Sequence, residues 1–360
     1  MNILIDIGHP AHVHVLKNFA HEMERKGCNV LFTCRQKEFI LQLLNAERFK
    51  YVSFGKKYTT TGKKVWGMVE FDYKMWRVCL KFKPDIFVSL GSMYAAQVSA
   101  ILRKPHICIE DTYNMEQVRL YKPFTDLILT GDYSHPVMSK TSEFRMAGYN
   151  ELAYLHPKRF TPDEHVLEEL GIKKGEKYVV IRFVAWNASH DIGQKGISIA
   201  NKIKAVKEFS QCAKVFISSE NDLPTELISH RLPTHPKRIH DVISFASLVF
   251  GESSTMAEEA AMLGVPSVYL NNKSTYYTKH LEKDYQLMYN LSETEDDVLK
   301  GIQIGKDILL ATSNQIWVER KNRMLKEKID VTAFLVWIVE QYPDSKDTIL
   351  KNSDYQYNFG

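Results

Sequence analysis

The stretch SLVFGESSTMAEEAAMLGVPSVYL (residues 247–270) contains a complete strand–helix–strand unit. SLVFG (247–251) and PSVYL (266–270) are short apolar runs rich in β-forming residues, which predicts two buried strands. Between them, TMAEEAAML has the composition of a helix, and the Gly-Val-Pro that follows ends it. Strands joined through a helix pair in parallel, so this stretch predicts a parallel sheet with helices on its faces.

The same alternation of buried strand and helix extends along the chain. After the first predicted strand, NILIDI (2–7), apolar residues at Val13, Leu16, Ala20 and Met23 follow helical spacing. The sequence therefore predicts the α/β class, with two Rossmann-like domains. The other predicted strands are 29–34, 85–90, 106–110, 126–131, 178–186 and 213–219.

The length of 360 residues predicts more than one domain, because a single core rarely grows so large. The alternation lapses at YLHPKRFTPDE (154–164), which predicts a linker. We expect an N-terminal domain over 1–155, a C-terminal domain over 156–330, and a helix and tail over 331–360 that pack back on the N-terminal domain. The two domains are expected to face a central cleft at the carboxyl ends of their strands.

The composition is that of an ordinary soluble globular protein, with 44% hydrophobic and 25% charged residues and a formal net charge of +4. This small charge disfavours nucleic acid as a partner. The five cysteines are odd in number and scattered, which disfavours a disulfide framework or structural zinc and predicts reduced thiols in the cytoplasm. The longest late apolar run, AFLVWIV (333–339), is too short to span a bilayer, so we expect no membrane-crossing segment.

The polar turn at the start of the 255–263 helix predicts an anion site. Ser253, Ser254 and Thr255 can cap this helix, and its free N–H groups suit a phosphate or diphosphate. A carboxylate one turn further, Glu258 or Glu259, can accept both hydroxyls of a ribose. The alternative is a well-capped helix with solvated glutamates. Dinucleotide and P-loop sites are disfavoured because neither glycine signature follows a predicted strand.

A second polar segment, RFVAWNASHDIGQKG (182–196), follows the first strand of the C-terminal domain. Loops at strand ends hold ligands in α/β folds, so we expect the Arg to clamp phosphate and the His to donate to a phosphate or sugar oxygen. A structural Arg–Asp pair beside a core Trp is the alternative. The candidates are Arg182, Trp186, Asn187, His190 and Asp191.

The turn GHPAHVH (8–14) brings three histidines to the end of the first strand. Histidine titrates near neutral pH, so we favour His12 as a general base or substrate anchor. His9 is a candidate on the acceptor side, and His14 is expected to pack. Each can instead be a capping or buried histidine. No acidic partner completes a ligand set nearby, so we expect no metal.

Two further segments of the N-terminal domain carry candidate residues. IEDTYNMEQVR (109–119) offers Glu110, Asp111 and Glu116 for sugar hydroxyls or acid–base work, or as ordinary loop and helix-start acids. Residues 56–83 interleave Lys and Arg with Tyr, Trp and Phe. Such a segment suits an anionic membrane surface or an acidic acceptor, or it is a helix with a solvated basic face.

The chain resembles the DUF354 family of glycosyltransferase-like proteins, with a fold of the glycosyltransferase-B (GT-B) type. The segments that carry the resemblance lie at 5–35, 154–163, 178–198 and 253–270. MurG-like N-acetylglucosaminyltransferases and non-hydrolysing UDP-N-acetylglucosamine 2-epimerases share this layout. The resemblance implies that Glu259 binds ribose and that His12 matches the transferase's histidine.

The chain also departs from both relatives. Ser253-Ser254 replaces their Ser-Gly or Gly-Gly turn, Gly91-Ser92 replaces the Gly-Asp turn of the epimerases, and RFVAWNASHD replaces the epimerase histidine-arginine signature. Glu110 and Glu116 fall near two epimerase carboxylates.

The resemblance implies a metal-independent glycosyltransferase-like enzyme, without a cofactor, that takes a nucleotide-sugar donor, UDP-linked, in surface polysaccharide or glycoconjugate assembly. The C-terminal domain binds the donor and the N-terminal domain a saccharide or lipid-linked acceptor. His12, Glu110 and His190 are the catalytic candidates. A cytoplasmic protein is expected, with peripheral contact at the inner face of the membrane through 56–83. The alternatives are a sugar-nucleotide 2-epimerase or hydrolase, and a non-catalytic nucleotide-sugar-binding protein.

Overall fold

The computed structural model describes residues 1–37, 39–56, 61–110, 112–173, 175–184, 196–219 and 222–360, and for residues 61–66 it describes the backbone alone. The described chain divides into two compact units. The first unit comprises Met1–Arg159 and Lys328–Gly360, and the second comprises Phe160–Glu327.

The first unit is built on a parallel sheet in the order β3-β2-β1-β4-β5-β6-β7. Strand β1 lies in the interior of the sheet, where Ile3 pairs with Val30 on one side and with Ile86 on the other. The strands are β1 (Asn2–Ile7), β2 (Asn29–Gln36), β3 (Tyr51–Lys56), β4 (Ile86–Leu90), β5 (His106–Ile109), β6 (Leu127–Gly131) and β7 (Glu143–Met146).

Helices cover both faces of this sheet, which is why the β1 residues Ile3, Leu4 and Ile5 are all fully buried. The helices that precede the second unit are α1 (Pro10–Arg25), α2 (Ile40–Ala46), α3 (Thr61–Phe82), α4 (Met93–Leu102), α5 (Met115–Tyr121) and α6 (Leu152–Leu155).

The second unit contains a parallel sheet in the order β12-β11-β10-β8-β9. Its strands are β8 (Tyr178–Phe183), β9 (Lys214–Ser219), β10 (Leu248–Gly251), β11 (Ser267–Leu270) and β12 (Met288–Leu291). Its helices are α7 (His165–Glu169), α8 (Ile199–Phe209), α9 (Ile239–Ser244), α10 (Ser254–Leu263), α11 (Tyr276–Lys283), α12 (Glu295–Leu310) and α13 (Gln315–Glu327).

The chain returns to the first unit for its last helices, α14 (Val331–Glu340) and α15 (Asp344–Lys351). Helix α14 packs on α1 and α6, and the Thr332 hydroxyl donates a 2.7 Å hydrogen bond to the Ala153 carbonyl. Asp330 caps α14 and accepts from the Arg159 guanidinium. The C-terminal segment is therefore part of the first unit's core.

Each sheet has one position where the chain direction across the sheet reverses. This switch point lies between β1 and β4 in the first unit and between β8 and β10 in the second. Open parallel sheets bind ligands at the carboxyl ends of the strands beside such a point. The turns that follow these four strands are therefore the places to look for a site.

The predicted α/β class with two Rossmann-like sheets is confirmed, and every predicted strand is present. Three strands were not predicted: β3, β7 and β12. All three lie at sheet edges, where one side of the strand is unpaired and polar residues are common. EFRM (143–146) and MYNL (288–291) accordingly carry polar residues that break the apolar run.

Candidate functional site

The turn after β10 starts α10 at the switch point of the second sheet. Ser253 is the N-cap residue, and its hydroxyl accepts a 3.3 Å hydrogen bond from the Met256 N–H. Gly264, at φ +75°, ends the helix in the left-handed conformation that glycine adopts without strain. The predicted strand–turn–helix–strand unit is thus present, with the helix N-terminus at the carboxyl end of the sheet.

Gly251 brings the ends of β8 and β10 into close contact. Its φ is +142°, and a Cβ atom built there would lie 2.1 Å from the Arg182 carbonyl oxygen. No other residue fits, because the clash is with backbone. The glycine that opens the turn is therefore needed to bring the two strands of the switch point together.

Glu252 binds the two chain segments that flank residues 185–195. Its side chain is 2% exposed, and it accepts hydrogen bonds from the Val184 N–H at 2.9 Å and the Ile197 N–H at 2.6 Å. Lys202 lies 3.3 Å from the same carboxylate. One buried carboxylate thus holds both flanks of the 185–195 segment against the start of α10.

Four residues predicted in that segment, Trp186, Asn187, His190 and Asp191, lie outside the described residues. Arg182 is described: it lies on β8, and its guanidinium donates a 2.8 Å hydrogen bond to the Ser218 hydroxyl. Its role as a phosphate ligand stays a prediction. The sequence analysis missed Glu252, although a carboxylate directly after a buried strand was the available signal.

Glu258 and Glu259 are both buried, at 3% and 6% exposure, so the alternative of solvated glutamates is wrong. The Glu259 carboxylate lies 2.9 Å from Nε2 of His240, a residue of α9 that is itself 4% exposed. The Phe160 ring packs edge-on against His240. This histidine, which the sequence analysis also missed, fixes the orientation of the carboxylate predicted to bind ribose.

The hydroxyl residues at the helix start are half-buried. The Tyr277 hydroxyl donates a 3.1 Å hydrogen bond to the Ser254 hydroxyl. The Tyr269 phenol also contacts Ser254, and burial raises the pKa of Tyr269 to about 12. Thr255 lies beside them in the first turn. The predicted donor turn is therefore lined by hydroxyl groups that stay neutral near pH 7.

The histidine turn lies at the switch point of the first sheet. His9 is the N-cap of α1, and its Nδ1 accepts from the Ala11 N–H at 3.2 Å. Nδ1 of His12 accepts from the Gly8 N–H at 3.3 Å. A neutral ring whose Nδ1 accepts carries its proton on Nε2, so in this arrangement His12 presents a donor and not a base. His14 instead packs its ring against Tyr154.

The described carboxylates predicted after β5 differ in their surroundings, since Glu110 is buried and Glu116 is exposed. Glu110 is 4% exposed, and one of its oxygens accepts from the Thr112 N–H, the Thr112 hydroxyl and the Tyr113 N–H at 2.8–2.9 Å. Its other oxygen accepts from the Tyr121 hydroxyl. Glu116 is exposed on α5, and Asp111 lies outside the described residues. Glu110 therefore orders its own turn, which disfavours its predicted acid–base role.

The same switch point holds a buried ionic network that the sequence analysis missed. Asp6 is fully buried and accepts from the Thr33 hydroxyl at 2.8 Å, the Arg35 guanidinium at 2.6–2.7 Å and the Ser92 hydroxyl at 2.5 Å. Asp72 of α3 lies near this group. Burial, followed by the charge of Asp6, raises the pKa of Asp72 to about 7.

Within the described part of the chain, no three His, Cys, Asp or Glu side chains are arranged to hold a metal ion. Metal independence stays a prediction. No described helix has the length and hydropathy needed to cross a bilayer.

Residues 1–342 match the family described as "Protein of unknown function (DUF354)". An uncharacterized protein of Methanocaldococcus jannaschii is 23% identical over 279 residues, which cover 74% of this chain and 81% of that protein.

Solved structures share the fold over nearly the whole chain. MnaA of S. aureus, solved with UDP, has a TM-score of 0.68 at 11% identity, and the match covers 96% of this chain and 97% of that one. UDP-GlcNAc 2-epimerase from Neisseria meningitidis, solved with UDP-GlcNAc, has a TM-score of 0.58 at 12% identity, with coverage of 91% and 99%. SsfS6, a Streptomyces sp. SF2575 glycosyltransferase, has a TM-score of 0.59 at 12% identity, with coverage of 95% and 100%.

At these identities the likeness shows the fold alone. The resemblance to DUF354 and to GT-B-type sugar-nucleotide proteins is confirmed.

Proposed function

The chain belongs to the DUF354 family, and on that premise we propose that it is a glycosyltransferase-like enzyme that takes a nucleotide-sugar donor, UDP-linked. The observation that carries the proposal is the turn at the second switch point. There the N-terminus of α10 begins beside half-buried hydroxyls, and a buried carboxylate, Glu259, lies one turn further on. A helix N-terminus suits a diphosphate, and a carboxylate one turn further on can accept hydrogen bonds from ribose hydroxyls.

Donor binding is assigned to the second unit. The free N–H groups of the first turn of α10 donate to the diphosphate oxygens, with Ser253 and Ser254 beside the diphosphate and Arg182 as the cationic clamp. Glu259 accepts hydrogen bonds from the ribose hydroxyls, and His240 keeps the Glu259 carboxylate oriented. The positive end of the helix dipole stabilises the leaving diphosphate, so the reaction needs no metal.

Acceptor binding is assigned to the first unit. The reaction would serve the assembly of a surface polysaccharide or glycoconjugate. His12 lies beyond the carboxyl end of β1, in the first turn of α1 at the switch point of the first sheet. With its Nε2 proton it acts as an anchor that donates to a sugar or acceptor oxygen. To act as a base it would have to give up the contact with the Gly8 N–H, so we favour the anchor role.

The experiment is a thermal-shift titration with UDP, GDP, CDP and dTDP on the wild type, Glu259→Gln and Glu116→Gln. We expect UDP to stabilise the wild type selectively and Glu259→Gln to weaken binding at least tenfold. Glu116→Gln, which alters an exposed acid of the other unit, is the matched control and should bind like the wild type. If no nucleotide stabilised the protein at millimolar concentration, the proposal would be rejected.

A 2-epimerase is the second candidate, because an epimerase shares the fold as closely as a glycosyltransferase does. Product analysis separates the two. An epimerase or hydrolase converts UDP-N-acetylglucosamine with no acceptor present, whereas a transferase requires one. A non-catalytic binding protein retains the nucleotide and converts nothing. Turnover in the presence of EDTA tests the metal-free mechanism directly.

A further inference from the structure

Helix α3 exposes a stripe of large apolar side chains. Val69, Tyr73 and Leu80 are 61%, 55% and 50% exposed, although the helix buries Phe71 and Met75 in the core on another side. At about 100° per residue the three exposed side chains fall within an arc of about 40° on the helix surface. A contiguous apolar patch of this kind on a soluble protein marks an interaction site.

The Trp76 indole extends this apolar stripe. It lies about 20° beyond the edge of this arc, is half-buried, and its ring centroid is 6.0 Å from that of Tyr73. Tyrosine and tryptophan are the side chains that favour the boundary between water and hydrocarbon, because each joins an apolar ring to a polar atom.

A row of cations flanks the stripe on one side. Lys74, Arg77 and Lys81 follow each other at helical spacing, and Lys74 pairs with Glu70 at 2.6 Å. Among the described residues no carboxylate lies within 4 Å of Arg77 or Lys81. The helix therefore presents an apolar stripe and, next to it, a basic stripe that carries net positive charge.

A groove opens beyond the basic stripe. It is a cavity of about 660 Å³, and the three cations stand at its edge while its other lining is mainly apolar. The apolar lining comes from β2, β3 and the end of α3: Leu31, Val52, Phe54, Val78 and Phe82. Cations beside an apolar groove suit a molecule with an anionic head and a hydrocarbon chain.

We propose that this face of α3 docks on an anionic phospholipid bilayer, with the apolar stripe in the interface and the basic stripe on lipid phosphates. The charge pattern selects this occupant. A second copy of the chain would bring two sets of three cations into one contact, whereas an anionic surface attracts every one of them. The helix lies along the membrane and does not span it, since it lacks the hydropathy of a spanning helix. Docking needs neither nucleotide nor catalysis.

The test is co-sedimentation of the full chain with vesicles of phosphatidylglycerol and phosphatidylcholine, against vesicles of phosphatidylcholine alone. We expect binding to the anionic vesicles that weakens as salt is raised. The double variant Arg77→Gln/Lys81→Gln should partition about 20- to 30-fold more weakly, since each basic residue contributes about fivefold. The matched control Lys140→Gln/Lys351→Gln removes two exposed lysines elsewhere in the same unit and should bind like the wild type.

The apolar stripe is tested separately with Tyr73→Ser/Leu80→Ser. These side chains are half-exposed, so the variant should fold, and its vesicle binding should fall while its salt dependence is kept. Brominated lipid should quench tryptophan emission less in Trp76→Phe than in the wild type. Equal binding by the Gln variant and its control would overturn the proposal. So would a concentration-dependent dimer that Tyr73→Ser/Leu80→Ser converts to monomer, because a second copy would then cover the stripe.

Discussion

At the residue scale, Asp72 shows how burial sets a charge. Among the residues that the structure describes, one carboxylate oxygen of Asp72 is buried without a hydrogen-bond partner, and the side chain lies near Asp6 and Tyr94. Its pKa of about 7 lies above the ordinary value of 3.8. Between these values the folded chain holds a proton that the unfolded chain releases, so stability falls as pH rises through this window.

Asp72→Asn removes this titration. We expect the stability of the wild type to fall relative to that of the variant by about 2–3 kcal/mol between pH 5 and pH 8, because the folded wild type keeps its proton up to a pKa of about 7 and the unfolded chain does not. Urea unfolding at the two pH values measures the difference. Asp354→Asn changes an exposed aspartate of the same unit and should give no such pH dependence. A stability gain that is the same at both pH values would contradict the raised pKa.

The hydrogen bond from the Gly8 N–H to His12 makes a second prediction at this scale. If His12 acts as a donor through Nε2, His12→Gln supplies an amide N–H at a similar place and should keep turnover within about tenfold. If His12 acts as a general base, glutamine cannot accept the proton, and turnover falls by about 10² or more. Steady-state kinetics of His12→Gln beside His12→Ala separates the two roles. A loss as large for Gln as for Ala would reject the anchor assignment.

At the scale of elements, Glu252 joins the two chain segments that flank residues 185–195 to the start of α10. Glu252→Ala leaves the Val184 and Ile197 N–H groups without their acceptor and removes the carboxylate beside Lys202. We expect a loss of about 2–4 kcal/mol in the free energy of unfolding and faster hydrogen exchange at both amides. Glu252→Gln, which keeps one acceptor oxygen, should lie between. Unchanged hydrogen exchange at the Val184 and Ile197 amides would mean that the Glu252 carboxylate does not hold these two segments in place.

The elements that hydropathy specifies were predictable, and the contacts between distant residues were not. NILIDI (2–7) forms β1 as predicted, because a strand buried on both faces reads as a continuous apolar run. The edge strand YVSFGK (51–56) lacks that signal. The pairing of Glu259 with His240 joins residues 19 apart, and Arg35 reaches Asp6 across 29. Such partners follow from the strand order, which local patterns do not encode.

The donor turn shows the same division. Its capping serine and its glycines follow from local backbone needs, so the sequence alone placed the helix start correctly. Whether a helical carboxylate is buried depends on what covers it, and Glu259 is covered by His240 of the preceding helix, α9. The hydrogen-bond partners of Glu110 were not predictable for the same reason. Donors that include Tyr121 form hydrogen bonds to both oxygens of this carboxylate. Its residue type alone suggested catalysis.

At the scale of the whole molecule, the chain leaves the first unit at Arg159 and returns to it at Lys328, so each unit has its own core. Asp330 links the two segments of the first unit at the point where the chain returns. It is 2% exposed, caps α14 and pairs with Arg159 at 2.7 Å. Separate cores predict two transitions in calorimetry. Asp330→Ala should lower the transition of the first unit alone, and Glu252→Ala that of the second.

Nucleotide binding then reports where the donor site lies. A ligand that binds only the folded second unit stabilises that unit by about 2.7 kcal/mol at a hundred times its dissociation constant and leaves the first unit unchanged. Calorimetric scans with UDP should therefore show the same upward shift of the second unit's transition in the wild type and in Asp330→Ala. If UDP shifted only the transition of the first unit, the donor site would have to be assigned to that unit. A single transition that responds to both variants and to UDP would mean that the two cores unfold as one cooperative body.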